Sequence, residues 1–123
     1  MTYDAARGQV VLFGGYGTSE MFNDTWTWDG TTWTQRSSLN KPGPRAFHAL
    51  AFAIRSAKVL LFGGLRPDGL VSDETWTWDG TDWTQELPTN RPLERVWSAA
   101  ASDPTASIIL FGGTTPDDWI PAQ

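Results

Sequence analysis

The stretch DTWTWDGTTWTQ, Asp24 to Gln35, returns as ETWTWDGTDWTQ, Glu74 to Gln85, with ten of twelve positions identical. Trp26 and Trp28 alternate with Thr25 and Thr27, the period of a β-strand whose two faces differ. Asp29-Gly30 and Asp79-Gly80 follow, and Asp-Gly is a hairpin signal. The returning strand carries Trp33 or Trp83. A two-residue loop would pair Trp26 with Trp33, and a four-residue loop would pair Trp28 with Trp33. In either register the three indoles share one face.

Upstream of each copy lies an apolar run ending in two glycines: QVVLFGG (Gln9 to Gly15) and KVLLFGG (Lys58 to Gly64). A third, SIILFGG (Ser107 to Gly113), has no Trp stretch after it. Leu12, Leu61 and Leu110 are spaced by 49 residues, and Trp26 and Trp76 by 50. A period near 50 marks a repeat array. The apolar runs do not alternate, so both faces of this strand are expected to be buried. The glycines are expected to end the strand and to admit a close neighbour. Before the second and third runs stand PRAFHALAFAI (Pro44 to Ile54) and ERVWSAAAS (Glu94 to Ser102). Their small side chains suit a strand in a crowded place. Each unit thus reads as four short antiparallel strands, and units with two apolar faces must stack face to face.

Composition narrows the function classes. With nine Lys and Arg against fourteen Asp and Glu, the net charge is -5. A protein held by phosphate contacts needs a basic face, so nucleic-acid binding is not expected. There is no cysteine, which removes disulfides, thiolate metal sites and a cysteine nucleophile. No apolar run approaches the roughly 20 residues of a membrane helix, so membrane insertion is not expected.

These motifs resemble the kelch repeat family: an apolar strand ending in Gly-Gly, then an aromatic, six residues and a Trp. Here they are Gly14-Gly15, Trp26 and Trp33; Gly63-Gly64, Trp76 and Trp83; and Gly112-Gly113 without its aromatic pair. The family usually has Tyr at the first aromatic position, where this chain has Trp. The wording TWTWDG is most similar to bacterial kelch proteins of the galactose oxidase central-domain kind. The resemblance implies an all-β propeller of four-stranded antiparallel blades. Residues 1–43 would form a blade lacking most of its first strand, 44–93 a complete blade, and 94–123 the first two strands of a third. About two and a half blades do not close a ring, so the chain reads as a fragment of a larger propeller. The exposed faces of its terminal blades are expected to drive self-association.

Loops between the second and third strands, YGTSEMFND (Tyr16 to Asp24) and LRPDGLVSDE (Leu65 to Glu74), differ between the copies. So do the loops between units, RSSLNKPGPR (Arg36 to Arg45) and ELPTNRPLER (Glu86 to Arg95). In a propeller both sets emerge on one face, and loop residues carry binding. The candidate binding residues are Tyr16, Glu20, Asn23, Arg66, Asp68, Asp73 and Trp97. Trp97 and Trp119 stand outside the repeated indoles and are the aromatic residues expected to serve as stacking platforms. Acids Asp24, Asp73 and Glu74 before the Trp strand read as loop caps rather than a Ca²⁺ site. Arg45 and Arg95 are expected to pair with them between blades. His48, the sole histidine, reads as structural. No cofactor is called for.

The expected function is a non-catalytic binding or scaffold module that presents its loop face to a protein or a glycan. The alternative is part of a propeller enzyme, galactose oxidase-like or sugar epimerase-like, with its active site in other blades. A galactose oxidase-like copper site would need a Cys-modified Tyr, and this chain has no Cys. The kelch wording slightly favours a secreted or surface location.

Overall fold

The computed structural model describes residues 1–105 and 107–118; Trp119 lies outside them. The chain is all-β with antiparallel sheets, and the described residues include no α-helix, only a 3-10 turn at Pro116–Asp118. In the first sheet β1 (Thr2–Asp4), β2 (Gln9–Tyr16), β3 (Met21–Trp28) and β4 (Trp33–Arg36) pair in sequence order. The second sheet repeats this with β5 (Ala49–Ala53), β6 (Lys58–Phe62), β7 (Thr75–Trp78) and β8 (Trp83–Glu86). The third holds β9 (Ala99–Ser102) and β10 (Ile108–Phe111).

The hairpin register is the four-residue one: Trp28 faces Trp33, and Trp78 faces Trp83. The Asp carboxylate decides it. Asp29 Oδ1 accepts the backbone N–H of Thr31 and Thr32, both at 2.8 Å. Asp79 Oδ1 does the same for Thr81 and Asp82. A side chain that satisfies the turn's own amides holds four residues out of the ladder.

Cross-strand partners point to the same side, so the register assigns the faces. In the second sheet Val59, Leu61, Trp76, Trp78 and Trp83 share one face. In the first sheet Val11, Phe13, Thr25 and Thr27 share the opposite kind of face. These two faces meet. The core joins Val11 and Phe13 to Leu50, Phe52, Val59, Leu61, Trp78 and Trp83. Phe13 meets Trp83 edge-on at 5.2 Å, and the Trp83 indole N–H donates to Thr25 Oγ1 at 2.9 Å across the junction. The Thr stripe therefore receives the next sheet's indoles.

The same residues in the first copy face outward. Trp33 is 41 % exposed whereas Trp83 is 0 %. Ile109 and Phe111, on the far side of the third sheet, are also exposed. The expectation that the apolar strand is buried on both faces holds for β6 only; β2 and β10 each keep an open side.

The glycine pairs divide their work. A Cβ on Gly63 would lie 2.6 Å from the Arg95 carbonyl, and one on Gly14 would lie 2.8 Å from that of Arg45. The first glycine thus admits the following unit. A Cβ on Gly64 would meet Ala46 O at 3.0 Å, and one on Gly113 would meet Val96 O at 2.6 Å, so the second admits its own unit's leading segment. Gly15 N–H donates to Arg45 O and Gly64 N–H to Arg95 O, tying successive units. The glycines do not end the first strand as expected: β2 continues to Tyr16 through an irregularity between Phe13 and Gly15.

Candidate functional site

The divergent loops of the second unit converge through Arg45, whose side chain is buried. Its guanidinium donates to Gly43 O, Gly63 O, Ser72 Oγ and, at 2.6 Å, Glu74 Oε2. Glu74 also accepts the Trp76 indole N–H at 3.0 Å. Burial pushes the Glu74 carboxyl up, but these two donors outweigh it and leave it below the usual range. A bidentate-capable cation matched to one carboxylate and to backbone oxygens is a structural clasp. The Arg45–Glu74 pair joins the segment before β5 to the loop after β6, inside one unit rather than between units as expected. Arg95 repeats the carbonyl contacts, donating to Leu93 O and Gly112 O.

Outside this clasp lies an open pocket of about 480 Å³ lined by Arg45, Arg66, Asp68, Glu74 and Trp76 among others. Arg66 and Asp68 form an exposed ion pair at 2.7 Å across its lip. Their hydrogen bond raises the Arg66 pKa and lowers that of Asp68. Asp68 Oδ1 also caps Leu70 N–H at 3.0 Å. Asp73 pairs with Arg91 at 2.6 Å, tying this loop to the one before β9.

The other candidates are scattered. Tyr16 ends β2 and Asn23 sits within β3, so neither is the loop residue the sequence implied. Glu20 is in the turn between those strands, exposed, its carbonyl accepting Gly17 N–H. Asn23 lines a small polar pocket with Asp24, Thr25, Gln35 and Arg36, distant in sequence from the Arg66 loop. Asp24 accepts the Trp26 indole N–H at 2.6 Å, so it fixes the Trp strand as Glu74 does in the second copy. Among the described residues no group of three or more His, Cys, Asp or Glu could hold a metal ion.

His48 precedes β5 rather than lying in it. Its ring meets Phe13 edge-on at 5.7 Å, and its buried Nδ1 has no hydrogen-bond partner. Burial, then the Met1 ammonium and Arg45, push its pKa down to about 4, against the Phe13 carbonyl that raises it. It is neutral at pH 7.

Trp97 is 50 % exposed and its ring lies 5.1 Å from that of Phe47, itself 41 % exposed. Both residues have left-handed backbones, φ 56° and 61°. Phe47 was not among the expected site residues, although its position recurs as Trp97 fifty residues on. The sequence could have shown the recurrence, but not the backbone angle or the exposure.

No protein-family model matches the chain. It is 38 % identical over 78 residues to the tRNA wybutosine-synthesizing protein 4 of Emericella nidulans, a match that covers 58 % of this chain and 7 % of that protein. The chain thus spans a small part of the length of the curated relative it matches.

Proposed function

We propose that the chain is part of a kelch-type β-propeller and serves as a non-catalytic binding module, its loop face taking a protein or a glycan. Each four-stranded sheet is then a blade, with blades at 1–43, 44–93 and, in part, 94–123. The glycine-to-arginine link is the support for stacking: the same carbonyl enters the same glycine at both junctions. What carries the binding reading is the Arg66–Asp68 pair at the mouth of a pocket built from the two loops that diverge between copies. A residue pair exposed on loops held by a buried clasp suits recognition better than packing.

The relative's name concerns tRNA, and the acidic charge of -5 gives that substrate no support here. An enzyme reading gains nothing from Glu74, Asp68 and Asp73, which serve as partners of Arg45, Arg66 and Arg91. The test is a paired screen of the chain on glycan and peptide arrays, repeated with Arg66→Ala/Asp68→Ala. A ligand lost by the double variant, with circular dichroism unchanged, supports the reading. A ligand bound equally by both proteins moves the site off these loops.

A further inference from the structure

We propose that the slot between the second and third sheets takes a tryptophan-bearing β-hairpin from a polypeptide other than this chain, added along the edge of β10. The slot shares no lining residue with the pocket at Arg66 and Asp68, so it stands apart from the loop-face reading.

The junction between the first two sheets shows what such a place receives. There β2 offers Val11 and Phe13 and β3 offers Thr25, and Trp83 of the next sheet closes over them. The equivalent face of the second sheet offers Leu60, Phe62 and Thr75, 49 or 50 residues on. It bounds a pocket of about 220 Å³ whose other wall is Ala100, Ile108 and Leu110 of the third sheet. Among the described residues no indole lines this pocket. Burial records the difference: Val11 and Thr25 are 0 % and 2 % exposed, whereas Leu60 and Thr75 are only partly buried. Thr25 Oγ1 accepts the Trp83 indole N–H at 2.9 Å, and the Thr75 hydroxyl has no such donor among the described residues.

The third sheet also has an edge to fill. On the side away from β1 and β5, β2 and β6 each pair with a Trp strand. Among the described residues β10 pairs with β9 alone. An unpaired edge beside an apolar pocket is what strand addition uses: backbone bonds give affinity, and pockets for alternate side chains give selection. The register of the second sheet names those side chains. Trp76 stands opposite Leu61 and Trp78 opposite Val59. Leu110 and Ile108 are the equivalents of Leu61 and Val59, and both line the pocket. A strand reading Trp-x-Trp along β10 therefore turns both indoles into the slot. A third Trp on its returning strand meets the Thr75 hydroxyl as Trp83 meets Thr25. A free apolar molecule would leave the edge amides of β10 unpaired.

The chain would be titrated with the peptide ETWTWDGTDWTQ, and with the same peptide carrying Ala at its three Trp positions. Amide exchange at residues 108–111 and thermal unfolding would be followed alongside. We expect one Trp peptide to bind per chain, exchange at 108–111 to slow, and the Ala peptide to be at least about tenfold weaker. Thr75→Val keeps the branched shape and removes the acceptor, so it should weaken binding about fivefold with an unchanged unfolding temperature. Leu110→Lys puts a charge in the slot and should abolish binding; where it fails to fold, Thr75→Val and the Ala peptide decide. Binding without slowed exchange, or binding that both variants leave unchanged, would seat the peptide on another face and overturn the slot. Indole alone bound as tightly as the peptide would overturn the added strand. A chain that associates with itself, excludes the peptide and loses that association with Leu110→Lys would give the slot to a second copy and overturn the outside partner. Absence of binding would overturn the proposal outright and leave the Arg66 loop reading untouched.

Discussion

A single Cβ discriminates the glycines of the repeat. Gly63 has φ 75° and an Arg95 carbonyl where a methyl would go. Gly112 has φ 71° and nothing within 4 Å. An alanine at 112 therefore meets only the left-handed backbone penalty, about 1–2 kcal/mol. At 63 the Arg95 carbonyl must also move, breaking the Gly64–Arg95 hydrogen bond, so Gly63→Ala should lose at least about 1 kcal/mol more. Urea midpoints of the two variants check this, and equal losses would mean the junction yields without resistance. His48 sets a pH dependence. Its pKa is about 4 when folded against 6.5 ordinarily, so the unfolded chain binds more protons between those values. Stability is fully present above about pH 6.5, falls as pH drops towards 4, and the loss amounts to about 3 kcal/mol at most. The groups acting on the ring are the Met1 ammonium, Arg45 and the Phe13 carbonyl. Carboxylates held low, such as Asp29 and Asp79, lose their contribution at lower pH, as they protonate. His48→Gln should flatten the decline between pH 6.5 and 4 and leave the lower one; an unchanged profile would discount the histidine.

Identical hairpins carry unequal weight. Trp33 and Trp83 occupy the same place in TWTWDGTxWT, yet Trp83 is sealed against Phe13 and Thr25 while Trp33 looks outward. Removing a sealed indole leaves a cavity and an orphaned hydroxyl, about 3–5 kcal/mol. Trp83→Ala should unfold the chain or bring it near that, whereas Trp33→Ala should lose about 1 kcal/mol or less. Chemical denaturation of both would show it, and similar losses would place the first sheet's indole face against something else. Much of this element was legible. The Trp–Thr alternation gave the strand and the shared face of the three indoles. It left the register open because Asp-Gly suits both loop lengths, and a carboxylate capping two amides is a three-dimensional fact. The copies also hid a difference with a use. Where the first reads Thr32 the second has Asp82, and Asp82 accepts two hydrogen bonds from Asn40, clasping the turn to the preceding unit. In the sequence that change gave no sign of its partner, which lies 42 residues away.

Repeats also dictate what remains uncovered. The period pointed to stacking, because two copies of one unit carry the same pair of apolar faces, although only the junction between the copies seals its indoles. It could not give Phe47 or Trp97 their backbone angles, since the bonds around them, Ala46 with Leu65, Val96 with Thr114 and Trp97 N–H to Phe47 O, join residues far apart in sequence. At one end of the stack Val10, Leu12, Trp26, Trp28 and Trp33 share an open face; at the other Ala99, Ala101, Ile109 and Phe111 do. The interior junction shows what such an indole face takes: aliphatic and phenyl side chains beside threonines. Ile109 and Phe111 offer the first of these, so the two ends attract one another head to tail. A heterologous contact of this kind does not saturate unless the rotation closes a ring. The chain at tens of micromolar should therefore scatter light as a concentration-dependent mixture of oligomers. Trp33→Lys with Phe111→Lys puts a charge on each open face without touching the buried junction. That pair should return the scattering mass to the monomer with an unchanged unfolding midpoint. A parent chain already monomeric at that concentration would show that these faces do not suffice for association, and an unfolded double variant would show that the terminal faces belong to the fold itself.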